Sequence, residues 1–182
     1  MDPRSNNYFE IADFGRNIQN QWETECSWKT IEDTDPEKWN GIPDEAGIYK
    51  LTFTGETLRL PDEYVLCSRK IPNTEDEKEL CEGILPAGTI LTIGKSRHLR
   101  RRIRQHFSKN SHVNRIGTHL NKLFNYSEEF TGKGDFEVLF KTLSEHCLQL
   151  SFCLVEQWWQ RDLLEAYGRC ISFSLFDLGF EH

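Results

Sequence analysis

The sequence predicts an α+β fold, a small mixed or antiparallel sheet of three or more strands flanked by helices. Three observations carry that expectation. Residues 48–53 and 148–155 alternate between two sets of side chains, as extended chain does on a pleated sheet. Residues 89–94 form a β-branched run closed by glycine. Leu99, Ile103 and Phe107 then recur at every fourth position and draw an apolar stripe down one helix face.

Each element follows in chain order. Residues 1–40 are polar and carry Trp22, Trp28 and Trp39. They read as a helix near 9–25 and a loop reaching Asp35-Pro36, an N-terminal helical extension to a domain spanning 41–182. Turn residues at 41–47 introduce the first strand. There Ile48, Lys50 and Thr52 face one way, and Tyr49, Leu51 and Phe53 the other. Residues 55–88 form a charged insertion with Pro61, Pro72 and Pro86. Within it 63–67 could add a strand, and 71–79 reads as exposed loop. Gly94 stops the strand at 89–94, and Ser96 is placed to cap the next helix. On that helix Arg102 and His106 are four apart and share a face. A second helix at 111–125 turns Ile116, Leu120, Leu123 and Phe124 inward. Residues 136–143 and 148–155 read as two strands around a turn at 144–146, with a last helix over about 160–170. The tail, 171–182, is aromatic and is expected to pack on the domain.

The chain has 182 residues, which suits one domain with a modest extension, and its 37% hydrophobic content suits a packed core. No apolar run approaches the roughly 20 residues that cross a bilayer. The start, Met1-Asp-Pro-Arg-Ser, lacks a signal-peptide stretch, so the expectation is a cytoplasmic protein without a membrane partner. The six cysteines (26, 67, 81, 147, 153 and 170) form no C-x-x-C pair. They read as reduced, mostly buried thiols, and no structural zinc site is expected.

A net charge of -7 argues alone against a nucleic-acid binder. Its distribution argues the other way. Between Lys95 and Tyr126 lie nine basic residues (Lys95, Arg97, Arg100, Arg101, Arg102, Arg104, Lys109, Arg115 and Lys122) and no carboxylate. The other 13 of the 22 basic residues face all 29 acidic ones. A basic strip on an acidic body is the electrostatic footprint of a polyanion site.

Gly47-Ile48-Tyr49 opens the first strand, and Thr92-Ile93-Gly94-Lys95-Ser96 closes the second. Arg102 stands eight residues beyond Gly94, and His106 four further on. Over roughly residues 42–177 this pattern resembles the GIY-YIG endonuclease superfamily. The resemblance implies a metal-dependent nuclease that hydrolyses phosphodiester bonds of DNA. Tyr49 would take the proton of the attacking water. A free phenol titrates near pH 10, so Tyr49 needs cations nearby, and Lys95 and Arg102 are placed to supply them. Arg102 could also grip the phosphate bidentately, and His106 could hydrogen-bond Tyr49 or the phosphate. Arg97, Arg100, Arg101, Arg104 and Lys109 would contact the nucleic-acid backbone. The family carries one metal-binding glutamate on the helix after the last strand, for Mg²⁺ or Mn²⁺. Glu165, in Leu163-Leu164-Glu165-Ala166-Tyr167, matches the "LLE-x-Y" pattern. Glu156, in Glu156-Gln157-Trp158-Trp159, is the alternative, and it requires 148–160 to be helical.

Three departures accompany the resemblance. Thr92 replaces the second motif's tyrosine. Asp177 falls where related sequences end in asparagine. The insertion at 55–88 is long, and it suits base recognition or a protein contact. Trp158 and Trp159 are available to stack on bases or to cover a core edge. The small size suggests a restriction or defence nuclease cutting double-stranded DNA, with homodimerisation supplying a second active site. Two other readings stand beside it: a catalytically impaired nucleic-acid-binding module of the same fold, and a protein-interaction domain.

Overall fold

The computed structural model describes residues 3–31, 41–61, 78–80, 82–107, 115–124, 136–172 and 174–176. The sheet that organises them is antiparallel and four-stranded. Helix α1 (Pro3–Arg16), the short α2 (Ile18–Asn20) and a π-helical turn (Gln21–Glu25) precede β1 (Lys29–Thr30). Then come β2 (Gly47–Phe53), β3 (Leu58–Arg59), β4 (Ile84–Leu85) and β5 (Ile90–Ser96). The second half contains α3 (Leu99–His106), α4 (Arg115–Phe124), α5 (Phe136–Glu145), β6 (Leu148–Leu154) and α6 (Trp158–Ile171). The strand order is β1-β6-β2-β5, with every neighbouring pair antiparallel. The α+β class expected from the sequence is the one observed. In place of one helix near 9–25, the N-terminal segment has three helical stretches, and it also supplies β1 to the sheet.

Period-2 alternation splits the core into two. On one face Tyr49, Leu51, Phe53, Leu150 and Phe152 pack with Leu99, Ile103 and Phe107 of the α3 segment, Ile116, Leu120 and Leu123 of α4, and Leu139 and Leu143 of α5. On the other, Ile48, Ile93 and Cys153 pack with Phe14, Trp22, Cys26 and Leu164. The sheet is therefore buried on both sides. Lys50 points into the second side, its Nζ 4.2 Å from the Trp28 centroid and 5.6 Å from that of Trp22, and burial pulls its pKa below the usual lysine range.

Three local expectations are corrected. Residues 136–143 are helix, not strand. The buried positions there, Leu139, Thr142 and Leu143, recur at three- and four-residue spacing, and an alternating apolar run read without its neighbours hides that period. Cys147 ends this segment at φ 51°, the left-handed conformation usually left to glycine. Gly94 does not stop β5, which runs on to Ser96. Nor does Ser96 cap the helix. Its Oγ accepts the His98 N–H at 3.0 Å, before the helix begins, and the cap position is His98.

The ends of the insertion are pinned by a small separate sheet, Leu58 opposite Leu85 and Arg59 opposite Ile84. The strand expected at 63–67 and most of the loop expected at 71–79 lie outside the described residues. Among the described residues no helix is long and apolar enough to cross a membrane.

The helical assignment of α5 makes a testable statement. Leu139→Ala should cost about 2–5 kcal/mol in a urea melt. Lys141→Gly, at an exposed mid-helix position, should cost about 1 kcal/mol. A neutral Lys141→Gly would contradict a helix there.

Candidate active site

Antiparallel pairing of β2 with β5 sets Tyr49 directly opposite Gly94. Opposed residues share a face, so the phenol lies across the Gly94 backbone. A Cβ built on Gly94 would fall inside that ring, against its hydroxyl and Cζ. Gly94 is thus required by close approach, and β5 is the outer strand of the sheet. The Tyr49 ring consequently lies over the outer strand of the described sheet.

The Tyr49 hydroxyl sits 2.6 Å from His106 Nε2. Both residues are buried, at 3% and 4% exposure. Either group can be the donor, according to the imidazole tautomer, and this pairing is one of the two expected for His106. Arg102 lies one turn earlier on the same helix and is half-buried. Backbone bonds fix the start of α3 against the turn before β2. Leu99 N donates to Glu45 O at 3.0 Å and Arg100 N to Pro43 O at 3.3 Å. Gly47, the first glycine of the motif, leaves room for the Leu99 side chain and the Cys153 carbonyl.

Lys95 follows Gly94 and therefore leaves β5 from the opposite face. Its ammonium is 2.6 Å from Glu165 Oε2 and 3.0 Å from Asp162 Oδ1, both on α6. Burial pulls the Lys95 pKa down, but hydrogen bonds and charge from Glu165 and Asp162 outweigh it and hold the group above its usual range. Lys95 is thus cationic at neutral pH. Glu165 also accepts from Arg169 at 3.1 Å, and Arg169 reaches the Ile93 carbonyl at 3.3 Å. This network fastens α6 along β5. Gly168 packs close enough that a Cβ would meet Trp22 and Ile93.

Two groups therefore flank one short stretch of β5: Tyr49–His106 over Gly94, and Lys95–Glu165–Asp162 from the next residue. Asp162 and Arg169 were not foreseen. Their signal was present in the spacing 162, 165, 169, which falls on one helix face. Trp158 belongs to the same face and is 62% exposed. Trp159 instead packs edge-on against Phe14, 5.2 Å between centroids.

The two glutamates differ in placement. Glu156 is exposed and lies in the link between β6 and α6, where its carbonyl accepts from Arg161 at 2.6 Å. The helix through 148–160 that this alternative requires is not formed, because 148–154 are strand. Glu165 is on the helix after the last strand, with its side chain 14% exposed. Its donor set fits a hard cation. Glu165 and Asp162 already converge on one positive group, and each carboxylate oxygen can accept a second partner. No group of three or more His, Cys, Asp or Glu side chains with metal-ligand placement occurs among the described residues. The described chain's share of a Mg²⁺ or Mn²⁺ shell would be one or two carboxylates, with water and substrate oxygen supplying the rest.

The remaining expected residues separate. Arg97, Arg101 and Arg104 are exposed. Arg100 is half-buried and donates its Nε to Ile42 O at 2.6 Å, so it helps build the turn before β2. Thr92 is buried on the Tyr49 face, opposite Leu51. Lys109 and Asp177 lie outside the described residues. No family model matches the chain, and no similar curated protein or solved structure was found.

The Tyr49–Gly94 contact is open to direct test. Gly94→Ala should displace the phenol and destabilise the fold by about 1–3 kcal/mol, read by urea unfolding, because the site has no room for a methyl group. Unchanged stability would mean that the ring does not cross the strand.

Proposed function

We propose that this protein is a metal-dependent endonuclease of the GIY-YIG type that hydrolyses phosphodiester bonds of DNA. The observation that carries the reading is the Tyr49–His106 hydrogen bond over Gly94, one residue from the Lys95–Glu165 pair. A buried phenol takes some hydrogen-bond partner in any fold, and here that partner is an imidazole, a group that can carry a proton as well as bond it. Hydrolysis needs a base for water, positive charge on the phosphoryl oxygens and help for the leaving alkoxide. Tyr49 takes the water's proton while its own passes to His106 Nε2. Arg102 grips the non-bridging oxygens through its planar fork. Lys95 holds positive charge beside the Glu165 carboxylate. A Mg²⁺ or Mn²⁺ ion held by Glu165, with Asp162 beside it, would supply charge neutralisation at the phosphate.

Arg97, Arg101 and Arg104 provide exposed positive charge for the DNA backbone, and Trp158 offers an open aromatic surface to a base. The size of the domain favours a restriction or defence nuclease working in the cytoplasm on double-stranded DNA. A homodimer would then cut both strands.

One observation favours a second reading, a DNA-binding module of the same fold with impaired catalysis. Thr92 is short and buried where the motif has a second tyrosine.

Plasmid and phage DNA incubated with the protein should be cut with Mg²⁺ or Mn²⁺ and left intact with EDTA. Tyr49→Phe and Glu165→Gln should each lower the rate at least 100-fold, a loss of roughly 2.7 kcal/mol of transition-state stabilisation. Binding without cutting, with affinity that falls steeply as salt rises, would select the binding module. Neither cutting nor binding would leave a protein-interaction domain as the reading.

A second measurement concerns Arg102. Arg102→Lys keeps the charge but loses the fork, so cleavage should fall about 10-fold or more while low-salt DNA affinity changes little. Equal activity of the lysine variant would remove bidentate grip from the mechanism.

A further inference from the structure

Phosphodiester hydrolysis asks Lys95 to face a phosphate and Glu165 to face a metal ion, yet in this fold the two hold each other. The Lys95 ammonium is 2.6 Å from Glu165 Oε2 and 3.0 Å from Asp162 Oδ1. Two carboxylate oxygens thus converge on one cationic atom beside the outer strand of the described sheet. Among the described residues, Lys95 is the one cation that Asp162 meets, and the one that Glu165 Oε2 meets.

The other oxygen of Glu165 is held separately. Oε1 accepts from Arg169 Nη2 at 3.1 Å, and the same nitrogen reaches the Ile93 carbonyl at 3.3 Å. Arg169 therefore orients the carboxylate and ties α6 to the β5 backbone without help from Lys95. Lys95 is more loosely placed. Its side chain is 39% exposed, that of Asp162 is 49% exposed, and its compact ammonium rides on a flexible four-carbon stem.

Resting on the nuclease reading above, we infer that Lys95 is an exchangeable counter-cation: it neutralises the Asp162–Glu165 pair, gives way there to a divalent metal ion, and turns its freed ammonium to the substrate phosphate. A hard divalent cation binds through carboxylate oxygens, and Lys95 holds the two that the described chain would offer. Volume and like-charge repulsion forbid both cations in that place. The bonds Lys95 gives up are charge-assisted, so a metal ion replaces them and does not add to them.

Exchange has two consequences for the site. The carboxylate pair is compensated in both states, so no bare negative charge is left between α6 and β5. Lys95 also reaches the phosphate only once a metal ion has taken its place. DNA bound without metal then meets an incomplete set of cations, which couples assembly of the site to metal occupancy.

The test titrates the full chain and its Lys95→Met variant with Mn²⁺ in the absence of DNA, with free Mn²⁺ read by electron paramagnetic resonance. Lys95→Met should bind Mn²⁺ on the order of 10-fold more tightly, because no ammonium has to be displaced. Adding Asp162→Asn to that variant should remove most of the gain. In the wild-type chain, Mg²⁺ should raise acetylation of Lys95 by acetic anhydride relative to exposed Lys29, read by peptide mass mapping. Equal or weaker Mn²⁺ binding by Lys95→Met would make the Lys95–Glu165 pair a fixed brace and overturn the exchange, while a metal-dependent nuclease would still stand. No Mn²⁺ binding by either protein would overturn the exchange together with the metal-dependent reading. If Lys95→Met fails to fold, the wild-type acetylation decides the matter, and labelling of Lys95 unchanged by Mg²⁺ would count against exchange.

Discussion

Tyr49 lies over Gly94, and much of the site depends on that contact. A phenol can cross a neighbouring strand only where the strand has no side chain, and only if the two residues are in register. The β2–β5 ladder provides the register, and Gly94 provides the gap. A one-residue slip would turn Tyr49 to the other face and away from His106. The same slip would move Lys95 away from α6. One ladder thereby fixes the Tyr49–His106 pair and the neighbouring cation, Lys95.

The two cores divide the work. The face packed by α3, α4 and α5 holds the Tyr49–His106 pair at low exposure, where a phenol–imidazole bond is strong. The face packed by α6 and the N-terminal segment holds Lys95, Asp162 and Glu165 where water still reaches. Because β5 is the outer strand, neither layer must be crossed to bring the two sets near one another. The N-terminal segment is more than an appendage in this arrangement. It supplies β1 and the tryptophans around Lys50.

Much of the architecture was legible in the residues. The strands at 48–53 and 148–155 follow from alternation, and the α3 stripe follows from Leu99, Ile103 and Phe107. The errors share a cause. Residues 136–143 contain apolar groups at spacings that satisfy both periods, and only packing against β6 in the shared core selects the helix. Gly94 looked like a terminator because an isolated glycine has no sequence mark that separates a stop from a close approach. Ser96 had capping chemistry, but its hydroxyl was taken by the preceding turn. Asp162 and Arg169 escaped notice because a carboxylate and a guanidinium on a helix are ordinary surface residues until the strand beside them is known.

The sequence alone determined the α+β class, the basic strip and the spacing of Tyr49, Gly94, Lys95, Arg102 and His106, because these depend on periodicity and on residue type. Tertiary structure decided which partners those residues meet. It bonded Tyr49 to His106, sent Lys95 to the opposite face and left Glu156 outside α6. It also set Arg100 Nε on the Ile42 carbonyl, in the turn before β2. Each of these outcomes depends on strand order and register, long-range quantities that no local run of residues encodes.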